Sequence, residues 1–242
     1  MTTALSEGLA SNDSAKQIVA SIMGMRKVAL WLGGTVLCGT IGLFFISPLI
    51  FAFLQDHLSQ QLAFFTVAEP FLAHVKLAFV STIFLLMPIM VFFLWRALAK
   101  PFQLSLTSQF WFFIFTCFLF YAGSTFCYFI TLPFGVKFLL GFESEQLKSI
   151  ISVGRFVNFI TVFILAFGLI FELPIFMVFA GKVGLLTRKK FQENRRYAIL
   201  AIAIVAALLT PTPDVVNMLL MAGPLYLLYE AGILILRILR IP

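Results

Sequence analysis

The sequence predicts an all-α integral membrane protein of six transmembrane helices, the fifth and sixth of them short. Three observations carry that fold class. Hydrophobic residues make up 62% of the 242-residue chain and charged residues only 11%, with a mean hydropathy of +1.06; a soluble domain has about a quarter of its residues charged. The apolar residues collect into six runs. Lys and Arg crowd the alternate connections between those runs, as expected of segments threaded through a bilayer.

Residues 1–27 are polar and contain no apolar core with a cleavage site, so they read as a tail and not as a removable signal peptide. The six-span domain covers 28–236, and 237–242 forms a second tail. A span needs about 20 mainly apolar residues, which 28–54, 72–95, 109–132 and 153–181 supply. The third run continues as FYAGSTFCYFITLPFGVKFLLGF, dense in aromatic residues. The loops 55–71 and 140–152 read as amphipathic caps on one side. The fifth span, 197–210, stops at Pro211 after about 14 residues, or roughly 21 Å of helix. That is less than the roughly 30 Å hydrocarbon thickness, so the bilayer thins or neighbouring helices shield the ends. In the sixth span, 215–236, Glu230 interrupts the apolar run after about 15 residues. No internal repeat stands out.

Orientation follows the cations. Lys16, Arg26, Lys27, Arg96, Lys100, Lys182, Arg188, Lys189, Lys190, Arg195, Arg196, Arg237 and Arg240 fall on one side. Lys76, Lys137, Lys148 and Arg155 fall on the other. Both termini are therefore expected in the cytoplasm or its organellar equivalent.

Enzyme signatures are missing from the sequence. There is no H-E-x-x-H zinc helix, no G-x-S-x-G elbow and no phosphate-binding loop. Cys38, Cys117 and Cys127 lie in apolar runs without metal-ligand spacing, and His57 and His74 sit near an interface. Gly123-Ser124 lacks a partnering histidine in a later span. No cofactor is implied.

Charges inside spans are more informative, because a charged group at mid-membrane costs several kcal/mol and turns toward protein or water. Glu172 lies about eight residues from the end of its span, roughly 12 Å deep. At 100° per residue, Asn158, Thr161, Gly168 and Glu172 share one face to within about 40°. Pro174 leaves the Ile170 carbonyl without its helical donor and predicts a kink. Two readings stand: a hydrogen bond to a neighbouring helix, or a polar strip that contacts a translocating or inserting segment. Gly223, Tyr226 and Glu230 share a face of the sixth span with Arg237 one heptad on, which allows an anchoring Glu–Arg pair at the rim. No acidic residue occurs between Glu69 and Glu143.

Several patterns together resemble the TatC family, the six-span core of the Sec-independent, twin-arginine protein translocase. They are Thr210-Pro211-Thr212-Pro213-Asp214 with Asn217, and Gly223-Pro224-Leu225-Tyr226-Leu227-Leu228-Tyr229-Glu230. Phe167-Gly168 with Phe171-Glu172 and Pro174, Asn194-Arg195-Arg196-Tyr197, Gly123 with Phe126, Tyr128, Phe129 and Pro133, and Glu69-Pro70-Phe71 add to them. Order and spacing agree across roughly residues 40–236. The resemblance implies a concave bundle that receives twin-arginine signal peptides of folded substrates and recruits TatA-like and TatB-like single-span partners in a higher oligomer. Transport would be driven by the proton-motive force, without nucleotide, in a bacterial inner membrane or a mitochondrial or plastid one.

By the family pattern Glu172 belongs to an intramembrane polar cluster, to which Thr161, Asn158 and Asn217 are assigned as contacts. Pro48 and Glu69-Pro70 belong to the outer cap. The family's N-terminal H-L-x-E-L-R-x-R pattern falls on Ser21–Val28, where only Arg26 survives, and the first cytoplasmic loop lacks the family's Glu after Pro101. Two alternatives use the same residues: a proton-coupled small-solute transporter with Glu172 as the proton site, or a structural relative without receptor activity.

Overall fold

The computed structural model describes residues 30–58, 62–99, 102, 104–140, 151–209 and 215–241. The tail containing Arg26, the turn containing Pro211, Pro213 and Asp214, the loop 141–150 and the side chains of His57 and Asn217 lie outside the described residues.

The first apolar run is not one straight helix. α1 (Leu30–Phe44) and α2 (Ser47–Leu58) meet at an angle of 69°. In a continuous helix residue 48 would donate its N–H to the Phe44 carbonyl, and Pro48 has none. The buried Ser47 hydroxyl donates to that carbonyl instead, at 2.7 Å. With the serine proton so used, Nδ1–H of His74 is the donor to Ser47 Oγ, at 3.1 Å. The bend is thereby fastened to the next long helix.

That helix, α3 (Glu69–Ala99), spans 31 residues with Pro88 inside it. Pro88 likewise strips the Phe84 carbonyl of its helical donor. Tyr121 of α4 (Leu106–Phe126) supplies the replacement, its hydroxyl lying 2.8 Å from Phe84 O. Tyr121→Phe is expected to cost about 1 kcal/mol, as interhelical hydrogen bonds in membranes do. In a Pro88→Ala background, where the backbone donor returns, the same change should cost much less. A double-mutant cycle on detergent-solubilised protein, read by thermal unfolding, checks this.

α4 opens with Ser105 as its cap, the serine oxygen accepting from Ser108 N–H. It runs into a π-helical turn, Cys127–Thr131, and then α5 (Leu132–Leu140). Pro133, the second residue of α5, cannot donate to Phe129, and the wider turn, with Leu132 N–H bonded to Cys127 O, absorbs the mismatch. α6 (Val153–Ile170) and α7 (Leu173–Lys182) make up the fourth span, broken at Phe171–Glu172. α7 ends in a turn with Gly184 at φ 75°, whose left-handed geometry glycine adopts without strain. α8 (Arg188–Glu193), α9 (Arg195–Leu209) and α10 (Val215–Ile238) follow.

Two two-residue strands, β1 (Leu62–Ala63) and β2 (Ile151–Ser152), pair in parallel, Leu62 with Ile151 and Ala63 with Ser152. This ladder ties the loop before α3 to the start of α6 and marks one end of the bundle. Nearer that end, Leu77, Leu132, Phe156, Ile160 and Phe163 form one buried cluster; a second packs Trp95, Phe112, Phe120, Phe179, Tyr229 and Leu236. Many large apolar side chains, among them Phe45, Leu85, Phe118, Phe176 and Leu208, face outward, as a bilayer allows and water does not.

Among the described residues four stretches are long and apolar enough to cross a membrane singly, and the bent α1–α2 pair makes a fifth. α9 is the sixth segment, and its 15 residues reach only about 22 Å. Within α10 the qualifying stretch is Met221–Ile238, 18 residues or about 27 Å.

Candidate functional site

The site is set by the close crossing of α4 and α6. An ideal Cβ on Gly123 would fall 2.5 Å from Phe171 Cγ and 2.8 Å from the Phe167 carbonyl oxygen. One on Gly168 would fall 2.7 Å from both Phe120 Cε2 and Ser124 Oγ. Hydrogen at these two positions lets the helix backbones approach, as small residues do in membrane bundles. The crossing brings the break at Phe171–Glu172 against α4.

At that break the Glu172 carboxylate faces Thr116 and the backbone of Phe120, with the Cys117 thiol beside it. Both carboxylate oxygens are buried, and neither makes a hydrogen bond of good geometry. Thr116, itself buried, accepts from the Trp95 indole N–H of α3 at 3.1 Å. Trp95 in turn stacks on Phe112, with ring centroids 4.6 Å apart, and meets Phe179 edge-on at 5.3 Å. A polar thread Trp95–Thr116–Glu172 thus runs through aromatic packing. Pro174 is buried in the first turn of α7, where its missing N–H costs nothing, and the expected kink is a two-residue interruption at Phe171–Glu172 within one 30-residue span, Val153–Lys182.

The other members of the helical face do not join this thread. Thr161 is buried and returns its proton to the Val157 carbonyl at 2.6 Å, a bond within its own helix. Asn158 is exposed near the ladder end and accepts from Lys76 Nζ at 3.1 Å. There it lines a cavity of about 860 Å³ with Thr66, Glu69, Lys76, Ser152 and Arg155. Glu69 organises that cavity. One carboxylate oxygen accepts from the Ser152 hydroxyl and, at 2.9 Å, from Gly154 N–H; the other accepts from Phe65 N–H at 2.8 Å. The carboxylate therefore sits at the N-terminus of α6 while beginning α3, and both positions favour negative charge. Pro70 follows it within the first turn of α3. Glu69→Ala should lower the melting temperature of the purified protein. Glu69→Gln should recover part of the loss, because its amide oxygen still accepts from Gly154.

At the opposite end α9 and α10 form a polar rim. Arg195 donates to one Glu230 oxygen at 2.8 Å, and the Tyr226 hydroxyl donates to the other at 3.1 Å. The expected pair with Arg237 is thus corrected to Arg195, because α10 crosses α9 and turns this face toward the start of α9. Arg195 and Glu230 remain 46% and 30% exposed. Arg195→Ala should therefore cost under about 1 kcal/mol in thermal unfolding. Tyr229 donates to the Phe191 carbonyl at 2.7 Å, binding α10 to α8. The Arg196 guanidinium lies 4.8 Å from the Tyr197 ring centroid. Pro224 lies within α10.

Thr116 and Trp95 were not singled out from the sequence, and Lys76 was read only as a cation of the Lys/Arg-poor side. Trp95 and Thr116 look like ordinary members of apolar runs, and only the helix crossing shows them as polar partners.

The profile of the TatC family, described as Sec-independent protein translocase protein, matches residues 22–224. A Sec-independent protein translocase protein TatC of Carboxydothermus hydrogenoformans is 34% identical over 186 residues, 76% of each chain. One from Helicobacter pylori is 35% identical over 212 residues, 87% of this chain and 83% of that one. Among solved structures, a crystal structure of the twin-arginine translocase receptor TatC superposes with a TM-score of 0.80 at 26% identity, covering 89% of this chain and 98% of that one. A chain with this order of helices, this buried carboxylate at the break of the fourth span and these relatives belongs to the TatC family of Sec-independent protein translocase proteins.

Proposed function

We propose that this chain is the signal-peptide receptor of a twin-arginine translocase in a bacterial inner membrane. Both termini are cytoplasmic, as the distribution of Lys and Arg supports. The chain performs no catalysis and takes no cofactor. It offers intramembrane contacts to a twin-arginine signal peptide and to TatA-like and TatB-like single-span partners in a larger oligomer, and the proton-motive force drives movement of the folded substrate. Asn217 belongs with Glu172 among those contacts, whereas Thr161, bonded to its own helix, and Asn158, bonded to Lys76 at the ladder end, extend the same face at a distance from it. The observation that carries the reading is Glu172, a buried carboxylate with no hydrogen bond of good geometry, held at the interruption of the fourth span beside Thr116. An acceptor left unsatisfied costs about 1–3 kcal/mol, and its persistence at a helix break is what a site awaiting a partner requires.

Recognition of the two arginines draws on more than this chain. Of the described carboxylates at the α8–α10 rim, Glu193 lies 3.7 Å from Lys189, and Glu230 is held by Arg195. Bidentate capture of arginine needs open carboxylates; Glu193, in a solvent-exposed pair with Lys189, is the one such group at this rim among the described residues, and a partner subunit supplies the rest. The test uses cells that lack their own TatC and receive this chain with its TatA-like and TatB-like partners. A reporter with a twin-arginine signal should be exported, and a Lys-Lys version should not. Export indifferent to the two arginines, or solute uptake by liposomes holding the purified chain alone, would overturn the proposal.

A further inference from the structure

Between α4, α7 and the end of α10 lies an open groove of about 770 Å³. Its walls are apolar, built from Trp111, Phe115, Leu119, Ile175, Val178 and Ile235. Its mouth is polar, with Thr107, Ser108 and Lys182. Lys182 Nζ donates to Ser108 Oγ at 2.6 Å and lies 5.7 Å from the Phe112 ring centroid. Among the described residues no carboxylate comes within ion-pair distance of Lys182. Arg237 and Arg240 lie at the same end of α10, beside the lining residues Leu239 and Ile241. From Lys182 at the mouth to Pro174 at the floor, the chain advances eight residues. That is about 12 Å of helix, close to half of the roughly 30 Å hydrocarbon thickness.

A cation and hydroxyls at the rim, above an apolar trench one leaflet deep, match the two halves of a phospholipid. We propose that this groove is a binding site for an anionic phospholipid of the leaflet on the Lys/Arg-rich side. Its phosphate sits on Lys182 and Ser108, and an acyl chain lies along Trp111, Val178 and Ile235. Charge complementarity selects the occupant, because basic pockets between transmembrane helices on that side collect anionic headgroups. The site is separate from Glu172, whose carboxylate turns to Thr116 and Phe120.

The test reconstitutes the full-length chain into vesicles doped with brominated phosphatidylglycerol or, at equal mole fraction, brominated phosphatidylcholine. Tryptophan quenching is the readout, and subtracting the Trp111→Phe signal isolates Trp111. The expected result is preferential quenching by the anionic lipid at Trp111, on the order of fivefold in apparent affinity. Lys182→Gln should abolish that preference and Lys182→Arg should keep it. Equal quenching by the two lipids, or a preference that survives Lys182→Gln, overturns the proposal. Absence of quenching by either lipid means that a second copy or a partner helix covers the groove, and also overturns it.

Discussion

Replacing Glu172 with leucine is expected to abolish export of twin-arginine substrates while raising the melting temperature of the purified chain. The two effects share one cause. Both carboxylate oxygens are buried without a hydrogen bond of good geometry, within reach of Thr116 and Phe120 but satisfied by neither. Leucine has a similar volume and brings no polar atoms, so the unsatisfied group disappears without opening a cavity. The gain is about 1–3 kcal/mol, the desolvation cost of an unmade hydrogen bond. Thr116 keeps its bond from Trp95. What is lost is the acceptor offered to an incoming segment, and sites of this kind trade stability for function. Glu172→Gln retains an oxygen acceptor and adds a donor, so it should keep more export than leucine does. Three measurements decide the matter: export of a twin-arginine reporter, membrane insertion by carbonate extraction, and thermal unfolding in detergent. Full export in Glu172→Leu would remove this residue from the contact site. A fall in melting temperature would mean that the carboxylate supports the bundle.

The fold class was legible in the sequence because hydropathy along a chain is one-dimensional, and so is the bilayer that reads it. What was not legible depends on which helix meets which. The periodicity of the fourth span does place Asn158, Thr161, Gly168 and Glu172 on one face, but that face has different neighbours along its length. At the ladder end it meets Lys76; midway Thr161 bonds its own backbone; at the crossing Gly168 packs on Phe120 and Ser124. Glu172 lies in the interruption itself, so a rule for straight helices could not say that Thr116 and Phe120 face it. Arg237 suited Glu230 by heptad spacing within one helix, whereas Arg195 wins through the crossing of α9 and α10. The prolines were half legible. Each marks a carbonyl without a donor, but that Ser47 answers Phe44 and Tyr121 answers Phe84 appears only in the packed molecule.

Gly123→Ala should destabilise the protein by about 1–3 kcal/mol, the usual penalty of overpacking, and Gly123→Val should prevent its accumulation in the membrane. The added Cβ would meet the Phe171 ring at 2.5 Å, Phe171 Cβ at 2.6 Å and the Phe167 carbonyl at 2.8 Å. A ring can rotate, but a Cβ and a backbone oxygen move only with their helix, so α4 and α6 must separate. Separation at this level carries Phe171–Glu172 away from Thr116, and export should fall even in those molecules that still fold. Phe171→Ala removes Cγ and the ring but keeps Cβ, so in that background Gly123→Ala should cost less stability than in the parent chain, though not nothing. Gly135 is the control. A Cβ there meets nothing within 4 Å, and Gly→Ala in a helix gains up to about 1 kcal/mol from propensity. Gly135→Ala should therefore be neutral or stabilising, with normal export. If Gly123→Ala behaved like Gly135→Ala in thermal unfolding and export, the α4–α6 crossing would have slack and could not be what positions the carboxylate. If it lost export in proportion to stability and both losses shrank in the Phe171→Ala background, the crossing and the site would be one mechanical unit.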